Sequence, residues 1–287
     1  MKRRIPPHWI LIAPGLLVFA VAFLIPIGRL AVMSFQENLP EGGTGGFVWD
    51  HYVKFFSDPH YLRIFGRTLV ISAVVSFICL VMGYCLAYGI SRAKEGRKLL
   101  LLMIAAMPLL TSATIRNFGW IIILSRKGLL NELLLSVGVI KEPLSLLYTP
   151  TGVVIALVHV LLPYMVLILY SVLEGLDRNL ESAAANLGAS RFHTFRLVTL
   201  PLSMPGIIAG TLLVFSISLS FFVTPSLIGG PKVQLMATEI YNQTINLLNW
   251  PYASALALIL LAAVLIVTNL YNRALSRSRT EANPFHV

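Results

Sequence analysis

Charged residues are scarce in this sequence. Asp, Glu, Lys and Arg make up only 12% of the 287 residues, whereas 57% are hydrophobic and the mean hydropathy is +0.81. A soluble globular domain carries about 25% charged residues. This scarcity excludes a soluble domain and indicates a membrane protein.

Several chemical motifs are also missing. The sequence has no Gly-x-x-x-x-Gly-Lys-Ser/Thr phosphate loop for ATP hydrolysis, and no His-Glu-x-x-His, Gly-x-Ser-x-Gly or Cys-x-x-Cys pattern. Its 12 acidic residues lie almost entirely in polar connections, which leaves little for a proton or sodium relay inside a membrane. No internal repeat and no nucleic-acid-binding motif is visible. A membrane enzyme and a secondary transporter are therefore the weaker hypotheses, and energy is expected to come from another chain.

Cysteine is nearly absent. Cys79 and Cys85 are the only two cysteines, and six residues of helix place them ~120° apart around the axis and ~9 Å apart along it. They cannot form a disulfide with each other within one helix. We interpret both as buried apolar residues, which indicate nothing about the redox compartment.

Long hydrophobic runs dominate the rest of the sequence. Six of them have roughly the 20 residues that are needed to cross the hydrocarbon layer. They are residues 9–35, 68–91, 99–124, 151–173, 206–228 and 252–271. They predict an all-α membrane protein with one transmembrane domain over residues 9–272, an N-terminal segment over 1–8 and a tail over 273–287.

The first run also has some features of a cleavable signal peptide. Three basic residues precede it, and Ala20-Val21-Ala22 is similar to a cleavage site. The run continues to Phe35, however, which is too long for the core of a signal peptide. We therefore interpret it as the first transmembrane helix.

The orientation follows from the positions of Lys and Arg, which are retained on the cytoplasmic side. With the N-terminus inside, the cytoplasmic segments contain 13 of these residues and the opposite segments contain 6. Both termini are therefore predicted to be cytoplasmic. The net charge of +10 is then mainly an orientation signal and a source of contact with anionic membrane lipid.

The most informative segment is the predicted cytoplasmic loop 174–205, between the fourth and fifth runs. Leu180, Ala183, Ala184 and Leu187 recur at helical spacing and predict a short helix with one apolar face. Gly188 is placed to end that helix. A second helical pattern follows and is expected to stop at Leu200-Pro201. So short a helix buries little by itself, which predicts that its apolar face docks on a cytoplasmic protein partner.

The same loop resembles the signature loop of ABC-importer permease subunits, in which Glu-Ala-Ala is followed by Gly and later by Ile-x-Leu-Pro. The matching residues are Ser182, Ala183, Ala184, Gly188, Ala189, Leu200 and Pro201. The family's glutamate falls on Ser182, with Glu181 one position earlier, and the sequence leaves open which of the two takes its role. The resemblance implies that this loop is the coupling helix, which docks on a separate ATPase subunit.

A further resemblance covers nearly the whole chain and points to the polyamine (spermidine/putrescine) branch of these permeases. It rests on segments such as Leu162-Pro163-Tyr164-Met165, Leu227-Ile228-Gly229-Gly230 and Asn249-Trp250-Pro251-Tyr252. It implies an inner-membrane permease that moves a small cationic or zwitterionic solute by alternating access and is not itself an enzyme. The implied partners are an ATPase dimer that holds ATP and Mg, a second permease subunit, which is a copy of this chain or another chain, and an extracytoplasmic solute-binding protein; no cofactor is expected in this chain.

The substrate stays open at this level. Polyamine permeases often carry an acidic residue just before the Phe-x-x-Pro of helix five, where this chain has Ser220 before Phe221-Phe222-Val223-Thr224-Pro225. An aminophosphonate, an amino acid or an opine-like compound is therefore an alternative solute for the same type of importer.

The candidate residues for the translocation pathway are polar or aromatic side chains inside the runs: Arg116, Asn117, Trp120, His159 and Phe222. Two of them have structural alternatives, since Arg116 is also placed to snorkel or pair near the outer interface and His159 to support a helix kink. Prolines 108, 163 and 225 are expected to interrupt helices three, four and five. Gln243 and Asn246, expected in the loop before helix six, are weaker candidates.

Overall fold

The computed structural model describes residues 7–38 and 44–281. The predicted N-terminal segment falls mostly outside these residues, and so do Lys2, Arg3, Arg4 and the end of the tail. Within the described part the chain is almost entirely helical, and a short antiparallel pair of strands, β1 (Gln36–Asn38) and β2 (Thr44–Phe47), accompanies the helices. The predicted all-α class is confirmed apart from this small hairpin.

The α-helices are α1 (Pro7–Phe19), α2 (Ile25–Met33), α3 (Asp50–Ser57), α4 (Pro59–Ser91), α5 (Glu95–Leu110), α6 (Ala113–Leu124), α7 (Leu129–Ser136), α8 (Pro150–Glu174), α9 (Arg178–Asn186), α10 (Arg191–Thr194), α11 (Leu200–Leu202), α12 (Met204–Ser220), α13 (Met236–Tyr241) and α14 (Trp250–Glu281). Four π-helical segments continue or join them: Ala20–Leu24, Phe195–Thr199, Pro225–Gly229 and Asn242–Asn246.

Four helical stretches of the described chain are long and apolar enough to cross a membrane: Pro14–Met33, Pro59–Ser91, Pro150–Glu174 and Trp250–Tyr271. Two pairs of shorter helices meet the same criteria only when they are taken together. One pair, Glu95–Leu110 with Ala113–Ser136, is bent by 93°, and the other, Arg191–Leu202 with Met204–Ser220, is bent by 61°. The described residues therefore contain four to six candidate spans.

The three prolines that were predicted to interrupt helices behave differently. Pro108 lies two residues before the end of α5, where the chain turns through Thr111 and Ser112. Pro163, in contrast, lies inside the continuous α8, so its predicted interruption is wrong. Pro163 is itself buried, and packed neighbours allow a membrane helix to tolerate the lost hydrogen bond of one proline. The fifth helix does break, but at Ser220, five residues before Pro225.

The described residues divide into two compact units, and the larger one comprises Ile64–Thr238 and Val264–Val287. Its core forms around α8, which packs against α5 and α12 and buries Leu157, Leu161 and Met165 completely. Cys79 of α4 joins this core, whereas Cys85 is exposed, so the prediction that both cysteines are buried is wrong for the second one.

The smaller unit comprises Met1–Arg63 and Glu239–Ala263. Its centre is aromatic: the Tyr61 and Tyr252 rings meet edge to face at 5.1 Å, and the Lys54 ammonium lies 4.6 Å from the centre of the Tyr252 ring. Gln243 was predicted in a loop but lies in the π-helical segment Asn242–Asn246, where it is buried and donates to Glu239 at 2.7 Å. That hydrogen bond within one turn favours helix over loop.

Two glycines allow α12 to approach α8 closely. Gly206 and Gly210 are four residues apart on α12, so they share one face of the helix. A Cβ atom on Gly206 would lie 2.9 Å from Cβ and Cγ2 of Val172, and one on Gly210 would lie 2.7 Å from Sδ of Met165. Small residues at this spacing are typical of packed membrane helices, which associate without a hydrophobic driving force between them.

We expect Gly206→Ala to destabilise the protein by about 1–3 kcal/mol, because the new methyl group meets the stiff β-branched side chain of Val172. The measurement is the thermal unfolding midpoint of the detergent-solubilised protein. Gly89→Ala in α4 is the matched control, since a Cβ there has no neighbour within 4 Å. Equal midpoints for the two variants would contradict the close packing of α12 on α8.

Candidate functional site

The helix predicted in the loop between α8 and α12 is present as α9 (Arg178–Asn186). Asp177 begins it by accepting a hydrogen bond from the amide of Asn179 at 2.9 Å. It ends where predicted, because Gly188 adopts a φ of +84° and the Ala189 amide closes back on the carbonyl of Ala184 at 3.0 Å. Local sequence signals thus fix both ends of this helix.

The predicted apolar face of α9 points away from the rest of the described chain. Leu187 is 89% exposed and Leu180 is 47% exposed, while Ala183 is exposed and Ala184 is half-buried. The small alanine side chains between two exposed leucines leave room for a second protein to come close. The face is therefore available for docking.

The Glu181 side chain points towards the rest of the larger unit and holds α9 in place. Its carboxylate forms an ion pair with Arg92, one residue beyond α4, and accepts a hydrogen bond from Thr199 Oγ1 at 2.7 Å. Ser182 is exposed, and its hydroxyl donates to the carbonyl of Arg178 at 3.3 Å. Of the two candidates for the signature glutamate, only Glu181 links α9 to other elements. Sequence reasoning missed both partners, since nothing local pairs residues 92, 181 and 199.

A second set of polar contacts lies at the start of the loop. Lys98 of α5 is buried, and its ammonium is 2.6 Å from carboxylate oxygens of both Glu95 and Glu174. The Arg178 guanidinium donates to the carbonyl of Ser91 at 2.9 Å. The ends of α4, α5 and α8 are therefore joined to the first turn of α9.

The second half of the loop returns to the larger unit through α10, a π-helical segment and α11. Leu200 and Pro201 begin α11, which ends at Leu202, so the predicted stop at Pro201 is one residue early. The Phe195 ring meets the edges of Tyr84 and Tyr88 at 5.8 and 5.6 Å. This stacking joins the loop to α4 at a second point, beside the Arg92–Glu181 pair.

Arg116 and Asn117, the first two pathway candidates, stabilise breaks between helices. Arg116 Nη1 donates to the carbonyl of Pro108 at 2.7 Å, which caps α5 at the 93° bend. Asn117 is fully buried and accepts a hydrogen bond from Thr224 Oγ1 at 3.0 Å, beside the break that follows α12. The Arg116 contact satisfies a backbone carbonyl near the end of α5, where the helix no longer supplies a partner, and the Asn117–Thr224 contact joins side chains of two elements.

Trp120 and His159 form a hydrogen-bonded pair that the sequence did not predict. The indole N–H of Trp120 donates to Nδ1 of His159 at 3.2 Å, and the ring centres are 5.4 Å apart. Phe222 lies in the short non-helical link after α12 and is half-buried. Helix α6 thus carries three of the five candidates, and each of these three reaches a different neighbour: a carbonyl of α5, the link after α12, and α8.

Thr224, the partner of Asn117, was not among the residues predicted for the site, and its position one residue before Pro225 was the available signal. Among the described residues no group of three or more His, Cys, Asp or Glu side chains is arranged to hold a metal ion. The arrangement offers polar and aromatic contacts at helix breaks together with a short helix, α9, whose apolar face is exposed.

The comparisons with known proteins agree with this arrangement. Residues 5–280 match the family model described as "Binding-protein-dependent transport system inner membrane component". The spermidine/putrescine transport system permease protein PotB of Escherichia coli K12 is 39% identical over 260 residues, which cover 86% of this chain and 94% of PotB. The PotB of Haemophilus influenzae is 36% identical over 267 residues, or 92% of this chain and 89% of that protein.

A solved structure shows the same fold. The bacterial alginate ABC transporter, in complex with an alginate pentasaccharide-bound periplasmic protein, superposes with a TM-score of 0.79 at 18% identity, and the match covers 93% of this chain and 92% of the other. Because the family model matches almost the entire sequence, the chain belongs to the family of binding-protein-dependent transport system inner membrane components.

Proposed function

We propose that this chain is the permease subunit of an ATP-driven, binding-protein-dependent importer for polyamines. The observation that carries the proposal is the 36–39% identity to PotB proteins along nearly the full length of both chains. A likeness of this extent includes the loop around α9 and the breaks near α6. The solute crosses the membrane by alternating access, and ATP with its Mg is held by the partner ATPase.

In the proposed topology each bent pair of helices counts as one span, which gives six spans, and both termini are cytoplasmic. The bias of Lys and Arg towards one set of loops supports this orientation. Residues 174–205 then lie in the cytoplasm, and the loops around α3 and α13 face the extracytoplasmic binding protein. The ATPase dimer and a second permease subunit complete the complex.

Coupling is proposed to work through α9. Its exposed leucines and alanines dock on the ATPase, and Glu181 carries the displacement of α9 to Arg92 at the end of α4 and to Thr199 before α12. Because α4 and α12 belong to different spans, one movement of α9 repositions both. Ala189, Leu200 and Pro201 shape the return of the loop to the membrane.

The pathway is proposed to run beside the helix breaks around α6. The Arg116 guanidinium is engaged with the carbonyl of Pro108, so its role here is to hold the bend. The aromatic faces of Trp120 and Phe222 suit an alkylammonium group, which binds aromatic rings through cation–π attraction. His159 orients Trp120 through the hydrogen bond between them.

A second substrate class has its own supporting observation. Arg116 is a positive charge near the proposed pathway, and Ser220 stands where a carboxylate would favour a cation. Both features suit a zwitterionic solute such as an amino acid or an aminophosphonate. This second candidate keeps the same importer and changes only its solute.

We expect spermidine or putrescine, delivered by the binding protein, to stimulate ATP hydrolysis by the complex reconstituted in lipid. Amino acids and aminophosphonates at the same concentration should leave the basal rate unchanged. Stimulation by a zwitterion alone would replace the polyamine assignment and keep the importer. A complex that hydrolyses ATP but is stimulated by none of these solutes would contradict both proposed substrate classes.

We expect Gly188→Val to reduce transport while leaving membrane insertion intact. The positive φ of +84° at this position costs about 1–2 kcal/mol for a residue with a Cβ atom, so the end of α9 should shift. The measurement is polyamine uptake into vesicles, normalised to the amount of complex in the membrane. Gly188→Asn is the control, because asparagine tolerates this conformation and should transport nearly normally.

We also expect Arg92→Glu and Glu181→Arg each to increase the number of ATP molecules hydrolysed per polyamine imported. Their side chains are 32% and 21% exposed, so losing the pair and creating like charges should cost about 1 kcal/mol, or roughly five-fold in coupling efficiency. The double variant should recover most of this loss, since it restores opposite charges. Arg97→Glu, which changes an exposed charge in the same segment, should have no effect; an equal effect there would indicate general electrostatics.

A further inference from the structure

A cavity of about 480 Å³ lies between α9, α10 and the end of α4. Three arginines line it, namely Arg92, Arg178 and Arg191, and Glu181 is its one carboxylate. Hydroxyl groups of Ser182, Thr194 and Thr199 and the rings of Tyr88 and Phe195 complete most of its wall. The volume is many times the ~30 Å³ of a water molecule, so the cavity accommodates a ligand group.

The cavity has more positive than negative charge. Glu181 is already engaged by Arg92 and Thr199. Arg178 donates to the Ser91 carbonyl and is 3.9 Å from Glu174, whose carboxylate is shared with Lys98. Arg191 makes no ion pair with any side chain that the structure describes. Two guanidinium groups therefore lack a full counter-charge, and the planar fork of arginine matches the oxygens of a phosphate group.

The location of the cavity indicates the source of that phosphate. Tyr88 is in the last turn of the apolar span Pro59–Ser91, and Arg92 follows its end directly. The cavity therefore lies at the depth where hydrocarbon gives way to lipid headgroups. Phe192 and Leu197, in the helical segments that follow α9, are each 67% exposed, and apolar side chains beside basic ones are typical of lipid-facing surfaces.

We propose that this cavity binds the phosphate headgroup of an anionic phospholipid of the cytoplasmic leaflet, with Arg178 and Arg191 as its ligands. The inference rests on the proposed orientation, which places this loop at the cytoplasmic surface. A phosphodiester between Arg178 of α9 and Arg191 of α10 neutralises their charge and braces the coupling loop against the membrane. Small side chains in the wall, including Ala185 and Ala189, keep the cavity open.

The test is binding of short-chain phosphatidylglycerol to the purified, delipidated complex, followed by native mass spectrometry. We expect the tightest site to weaken about five-fold in Arg191→Gln, since one basic residue near a membrane surface contributes about that factor. Ser182→Glu should weaken it at least as much by adding a carboxylate to the cavity wall. Arg196→Gln is the matched control: Arg196 is an exposed arginine of the same loop outside the cavity and should bind lipid normally.

The other outcomes overturn the proposal. Equal binding by the unmodified complex and by the three variants would show that phosphatidylglycerol binds elsewhere. Displacement of the lipid by millimolar inorganic phosphate alone would assign the cavity to a free anion. Loss of ATPase assembly in Arg191→Gln with unchanged lipid binding would assign it to an acidic side chain of the partner. None of these readouts uses a polyamine, so they test lipid binding independently of the polyamine assignment.

Discussion

Every backbone amide and carbonyl inside a membrane needs a partner within the protein, because hydrocarbon offers none. Long continuous helices satisfy this requirement automatically, and they make up four of the candidate spans. Where α5 ends, a side chain takes over one such carbonyl, and beside the break after α12 two side chains bond to each other. Arg116 caps the carbonyl of Pro108, and Asn117 bonds to Thr224 beside the break after α12. The two breaks are therefore held by polar side chains from α6, the same side chains that are proposed to lie beside the solute pathway.

The loop between α8 and α12 combines an exposed apolar face with a fixed position. Its outer face carries Leu180 and Leu187, which are exposed. Its inner face is anchored by charge and by aromatic stacking, through Glu181 with Arg92 and through Phe195 with Tyr84 and Tyr88. An anchored inner face and a free outer face suit the coupling role proposed for α9, since a loosely attached helix would move without moving α4 or α12. The basic cavity beneath the loop adds a third anchor if a lipid phosphate fills it.

Much of this organisation is readable from the sequence. The hydrophobic runs located all the candidate spans, and Asp177 and Gly188 sit at the two ends of α9 because capping is a local effect. The family resemblance agreed with the comparisons, since it rested on spaced motifs along nearly the whole chain. The wrong predictions also came from local signals, which ignore the packing around a residue. Pro163 was expected to break α8, but burial among packed helices let that helix continue, and Gln243 was expected in a loop, but its hydrogen bond to Glu239 keeps it helical.

The sequence by itself determined the membrane class, the approximate positions of the spans, the short helix α9 and the family, because hydropathy, periodicity, capping and motif spacing are properties of neighbouring residues. Only the tertiary structure decided which polar groups meet. Glu181 lies 89 residues from Arg92, Thr224 lies 107 residues from Asn117, and Trp120 lies 39 residues from His159. No local rule relates residues so far apart. The packing of α4, α6 and α12 on α8 brings them together, and the size of the side chains at each contact, such as Gly206 against Val172, sets how closely they approach.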